Sequence, residues 1–148
     1  MIQRKQTLLL LAVLIIAIVM IFIPFQILLT GGESWNIALI AGNSWIILNS
    51  NMYYPNILNV LIIVLSIFTV FKYKNRPLQY KLSNITALLN IFMVGLFFLL
   101  PFTNANPGES IEYAFGSFLP IISMGFAFLA AHFIKKDEQL VRSADRIR

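Results

Sequence analysis

Apolar residues in this chain gather in four long runs, and the first run shows the pattern that the others repeat. From Gln6 to Gly32 no residue carries a charge. At about 1.5 Å per residue, a helix over residues 7–29 would be roughly 34 Å long, enough to cross a hydrocarbon slab of about 30 Å with some tilt. Further apolar runs over about residues 56–73, 82–100 and 113–134 follow the same logic. The pattern predicts an all-α fold, an integral membrane antiparallel four-helix bundle in a single domain, followed by an amphipathic tail helix over residues 135–148. Pro24, near the far end of the first run, reads as a helix-ending proline.

The polar stretches between the runs refine this picture. Residues 30–55 make a connector that is long for a compact bundle and therefore predicts structure of its own. Ala41-Gly42-Asn43-Ser44 lies between two short apolar runs, which suits a hairpin, with an interfacial helix as the competing reading. Trp35, Trp45, Tyr53 and Tyr54 favour the headgroup level, so this connector belongs on the membrane surface, as a lid over the bundle or a docking face. Lys72-Tyr73-Lys74-Asn75-Arg76-Pro77 reads as a tight basic turn, and residues 101–108 are turn chemistry throughout.

Charge then orients the bundle. All 11 Lys and Arg lie in three places: Arg4 and Lys5; Lys72, Lys74, Arg76 and Lys81; and Lys135, Lys136, Arg142, Arg146 and Arg148. Four spans place those three groups on one side, while the other two connectors carry only Glu33, Glu109 and Glu112. By the positive-inside rule the basic side is cytoplasmic, with both termini there. The net charge of +5 is thereby a matter of topology, and nucleic acid is not an expected partner.

Composition narrows the chemistry. With 59% hydrophobic and 11% charged residues the chain is written for lipid, and the absence of cysteine removes thiolate metal sites and cysteine nucleophiles. The first run is too long for a signal-peptide core and lacks a clear cleavage site, so it is expected to stay uncleaved. No charged residue lies deep within a span, which argues against proton-coupled transport. His132 is the single histidine, and a metal or haem site needs at least a second ligand. No cofactor and no metal are expected, and no nucleophile–base pair can be assembled, so the protein is not expected to be an enzyme.

What remains polar in the spans is neutral and lies on helical faces. Ser83, Thr86 and Asn90 form one stripe, and Asn59, Ser66 and Thr69 form another. Such groups seek partners on facing helices, each bond being worth on the order of 0.6–2 kcal/mol, and their expected use is packing. In the fourth run Pro120 falls near mid-membrane and four residues after Gly116, which predicts a kink there. Ser123, Ala127 and Ala131 follow as a small-residue stripe that allows close approach of a neighbouring helix.

The tail has Leu140, Val141, Ala144 and Ile147 on one helical face, with Arg142, Asp145 and Arg146 as the candidates for contact with the basic turn or with lipid. Met1-Ile2-Gln3-Arg4 at the start and Leu140-Val141-Arg142-Ser143-Ala144-Asp145-Arg146-Ile147-Arg148 at the end resemble a family of short four-span bacterial membrane proteins of unknown function. That resemblance implies a bacterial inner-membrane location and supplies no catalytic residue. The expected role is a non-enzymatic accessory or scaffold subunit of a larger membrane complex, its partners being the lipid bilayer and other membrane subunits or a second copy. A small transporter or channel for a neutral or lipidic substrate, using Pro120 and the Asn90 region, is the alternative.

Overall fold

A run of apolar residues can continue past the point where its backbone stops being helical, and Pro24 marks that point here. The computed structural model describes residues 2–30, 33–37, 53–73, 75–104 and 110–145. Helix α1 spans Ile2–Val19. Beyond it Ile21 N–H and Phe22 N–H turn to acceptors three residues back, Ile18 O and Val19 O, both at 3.1 Å. Pro24 has no N–H to continue the ladder, and its ring disfavours a helical Ile23. The apolar residues that follow enter a strand instead. The expected helix over residues 7–29 is corrected accordingly, to a helix ending at Val19 and a strand β1 (Gln26–Thr30).

Strand β1 is the centre of a small antiparallel sheet, with β2 (Glu33–Ile37) on one side and β3 (Ser110–Tyr113) on the other. Thr30 pairs with Glu33, so only Gly31 and Gly32 separate β1 from β2, a sequence that suits a two-residue hairpin. On the other edge Gln26 pairs with Tyr113 and Leu29 with Ser110. This sheet corrects the all-α expectation and places the hairpin earlier than the tetrapeptide at Ala41, which lies outside the described residues.

The other helices among the described residues are α2 (Tyr53–Phe71), α3 (Arg76–Asn104) and α4 (Leu119–Asp145). Proline occupies the first turn of each, as Pro55, Pro77 and Pro120, where a missing N–H costs nothing because no carbonyl precedes it in the helix. Asn75 caps α3, its Oδ1 accepting Leu78 N–H at 3.4 Å. Among the described residues three segments, Tyr54–Phe71, Arg76–Leu99 and Phe115–Val141, are long and apolar enough to cross a membrane, while the apolar part of α1, Lys5–Val19, is shorter. The chain is a small membrane protein, mostly helical. Residues 135–145, expected as a separate tail, simply continue α4.

Each helix packs against the next in sequence and α4 closes back on α1. Their buried positions recur at alternating steps of three and four: Gln6, Leu10, Val13, Ala17 and Met20 on α1; Asn59, Ile62, Ser66 and Thr69 on α2; Ser83, Thr86, Asn90, Met93 and Phe97 on α3; Ser123, Ala127, Ala130, Ile134 and Asp137 on α4. That 3.5-residue average is the repeat of helices that wrap around one another with their seams inward.

Candidate functional site

Along these seams runs a buried polar face, and it divides into three levels. At the end of the bundle that carries the basic residues, Gln6 Nε2 donates to Phe133 O at 3.0 Å and to the Asp137 carboxylate. Arg76 donates to the backbone carbonyl of Asp137 at 3.4 Å, and Gln79 Nε2 donates to Thr69 O at 3.3 Å. Asp137 therefore joins α1, α3 and α4, and Gln79 joins α3 to the last turn of α2. Lys72 lies 5.2 Å from the Phe68 ring and Lys135 lies 6.0 Å from the Tyr80 ring, so cations flank this level on the outside.

In the middle the groups are neutral. Ser83 Oγ donates across to Ala127 O at 2.9 Å, and Asn59 Nδ2 donates across to Ala17 O at 3.1 Å. Thr86 and Asn90 bond within α3, Thr86 Oγ1 to Leu82 O at 3.0 Å and Asn90 Nδ2 to Thr86 O at 2.8 Å. Because carbonyl oxygens only accept, each amide must present its nitrogen in these contacts. The Oδ1 atoms of Asn59 and Asn90 and the hydroxyl oxygens of Ser66 and Ser123 are buried without a partner.

At the sheet end, proline chemistry explains the polar contacts. Helix α3 runs through Pro101, which has no N–H for the carbonyl of Phe97 four residues back. Gln26, fully buried, supplies the donor instead, from Nε2 to Phe97 O at 2.7 Å. Beside it the rings of Phe25 and Phe97 stack at 4.4 Å, only 4° from parallel. Phe25 O accepts Ala114 N–H at 3.1 Å and the Ser117 hydroxyl, and Pro24 O accepts Gly116 N–H at 3.1 Å. A methyl group at position 116 would strike the Pro24 carbonyl oxygen and lie 2.9 Å from its carbon.

These contacts assign new roles to two predicted residues. Pro120 is the second residue of α4, preceded by a tight turn over Phe115–Phe118, so the mid-helix kink is corrected to a helix start. Gly116 is small because the Pro24 backbone passes against it. Asn59, Ser66, Asn90 and Ser123 all lie on the buried faces, whereas His132 is exposed on α4. The side chains of Arg142 and Asp145, and Arg146 altogether, lie outside the described residues.

Five buried polar residues escaped the sequence reading: Gln6, Gln26, Gln79, Ser117 and Asp137. Gln6 and Asp137 sit among charged neighbours in sequence, but Asp137 continues the α4 repeat one step past Ile134, which is the signal that finds it. Gln26 was hidden in a span drawn too long. Together the groups on this face are amides, hydroxyls and one carboxylate, suited to holding helices and hydrogen-bonding partners in place. A search of curated proteins returns no match to this chain. Over residues 2–147 the sequence matches a family described as a domain of unknown function, DUF4293, and the chain belongs to that family.

Proposed function

We infer that the protein is a non-enzymatic accessory or scaffold subunit of a larger complex in the bacterial inner membrane, a four-helix bundle with residues 1–5 and 135–148 in the cytoplasm. The observation that carries this reading is the way the bundle axis is filled at both ends. Phe25, Met93, Phe97 and Leu119 pack into one buried cluster beneath the sheet, and Gln6 and Asp137 meet at the other end. Between them Val13, Ala87 and Ala127 pack together, so apolar side chains interrupt the polar face. A bundle closed in this way offers partners its outer surface. That surface carries an apolar groove of about 290 Å³ between α2 and α3, lined by Tyr54, Ile57, Leu58, Leu61, Phe92 and Leu96. A groove of this kind suits a helix from another subunit or a second copy.

A photoreactive phenylalanine analogue at Phe92, in the groove, is expected to give one protein adduct of discrete mass in native membranes. The same analogue at Ile15, exposed on α1, is the control. Equal adducts at both positions, or none at Phe92, would overturn the docking assignment. Solute flux in vesicles containing only this protein would overturn the accessory role in favour of a transporter.

A further inference from the structure

Three of the unpartnered oxygens fall at one level of the bundle. Val13, Ala87 and Ala127 form a single packed cluster, which aligns α1, α3 and α4 along the axis. One step of the repeat towards the sheet end lie Ala17, Asn90 and Ser123, each three or four residues on and about 4.5–6 Å further along. Asn59 joins from α2, because its Nδ2 bonds the Ala17 carbonyl at 3.1 Å. Both amide nitrogens are engaged, Asn90 Nδ2 with Thr86 O at 2.8 Å. The two Oδ1 atoms and Ser123 Oγ are left over, on residues exposed by no more than 1%. Buried polar atoms in folded proteins are nearly always paired, with ordered water as a common partner.

We propose that Asn59, Asn90 and Ser123 bind an internal water molecule that links α2, α3 and α4. The hydrogen-bond count closes. Water donates twice, to the two Oδ1 atoms, and accepts once, from the Ser123 hydroxyl. The side chains at positions 17, 87 and 127, beside this level, are alanines and all three are buried. Through Asn59 and the Ala17 carbonyl the same network reaches α1, so one water connects all four helices.

The test uses the full chain in lipid nanodiscs, with the side-chain amides of Asn59 and Asn90 resolved by nuclear magnetic resonance. Both amide groups are expected to show magnetisation transfer with water. Ser123→Ala is expected to lose both signals, and Ser123→Thr, which keeps a hydroxyl, to retain them. Resolved amides without any water signal in the unmodified protein would overturn the proposal, as would undiminished signals in Ser123→Ala. If Ser123→Ala does not fold, the unmodified protein and the Thr variant decide. A melting temperature that rises in sodium chloride but not in equal choline chloride would assign the site to a cation and overturn the water.

Discussion

The two ends of the bundle are held together by opposite means. At the basic end, long side chains reach across: Gln6 to Asp137 and Phe133, Arg76 to the Asp137 carbonyl, Gln79 to Thr69. At the sheet end, backbone meets backbone, with Gly116 against Pro24 and β1 paired to β3, and the buried side chain of Gln26 completes a hydrogen bond that Pro101 cannot make. Side-chain bridges tolerate small adjustments because they rotate. Backbone contacts do not, so the sheet end should be the less forgiving of the two.

Gly116→Ala is the harshest test of that difference. The added methyl meets peptide atoms of Pro24 and lies 3.1 Å from Phe25 Cα, none of which can rotate away. Overpacking costs typically 1–3 kcal/mol, and a loss of about 3 kcal/mol is expected in reversible unfolding from mixed micelles. A loss under about 1 kcal/mol would show that the sheet end yields as readily as the other.

Gln26→Leu comes next, since it strands the Phe97 carbonyl in an apolar setting, at a cost of about 2 kcal/mol. Adding Pro101→Ala restores a backbone N–H four residues after Phe97 and should recover most of that loss. If the double variant is no more stable than Gln26→Leu alone, the proline account of Gln26 fails. At the basic end Gln6→Leu removes the donor to the Asp137 carboxylate, and about 1.5 kcal/mol is expected, the lower range for a bond to a charged group. Asp137→Asn keeps an acceptor and should cost less than Gln6→Leu in the same assay. Smallest is Arg76→Ala, whose bond is long at 3.4 Å, with a change of about 0.5 kcal/mol. An Arg76 effect larger than that of Gln26 would invert the comparison.

The same contrast accounts for what could be read from the chain. Ser83, Thr86 and Asn90 were legible because polar residues at helical spacing in an apolar run leave their hydrogen bonds to be made inward, and the structure buries all three. The end of α1 was not legible from hydropathy, because β1 draws its Ile27, Leu28 and Leu29 from the same apolar vocabulary as a helix. Pro24 carried the information, but without the pairing to Tyr113 nothing distinguished a late stop from an early one. Pro120 was misplaced for a related reason: residues 110–113 are strand and residues 115–118 a tight turn, so the helix begins later than the apolar run. Asp137 was overlooked because charge drew attention to the tail as a surface, while its position in the repeat placed it inside.

The pairing of Gln26 with Tyr113 also sets an order of events in synthesis. Roughly 90 residues separate the two, which at 5–20 residues per second is about 4–18 s of translation. Throughout that interval β1 has its near neighbour β2 but lacks β3, and the Phe25 carbonyl waits for Ala114 and Ser117. The clasp between β1 and β3 therefore stays half made while α2 and α3 are synthesised, and the emergence of β3 is the moment at which it can shut.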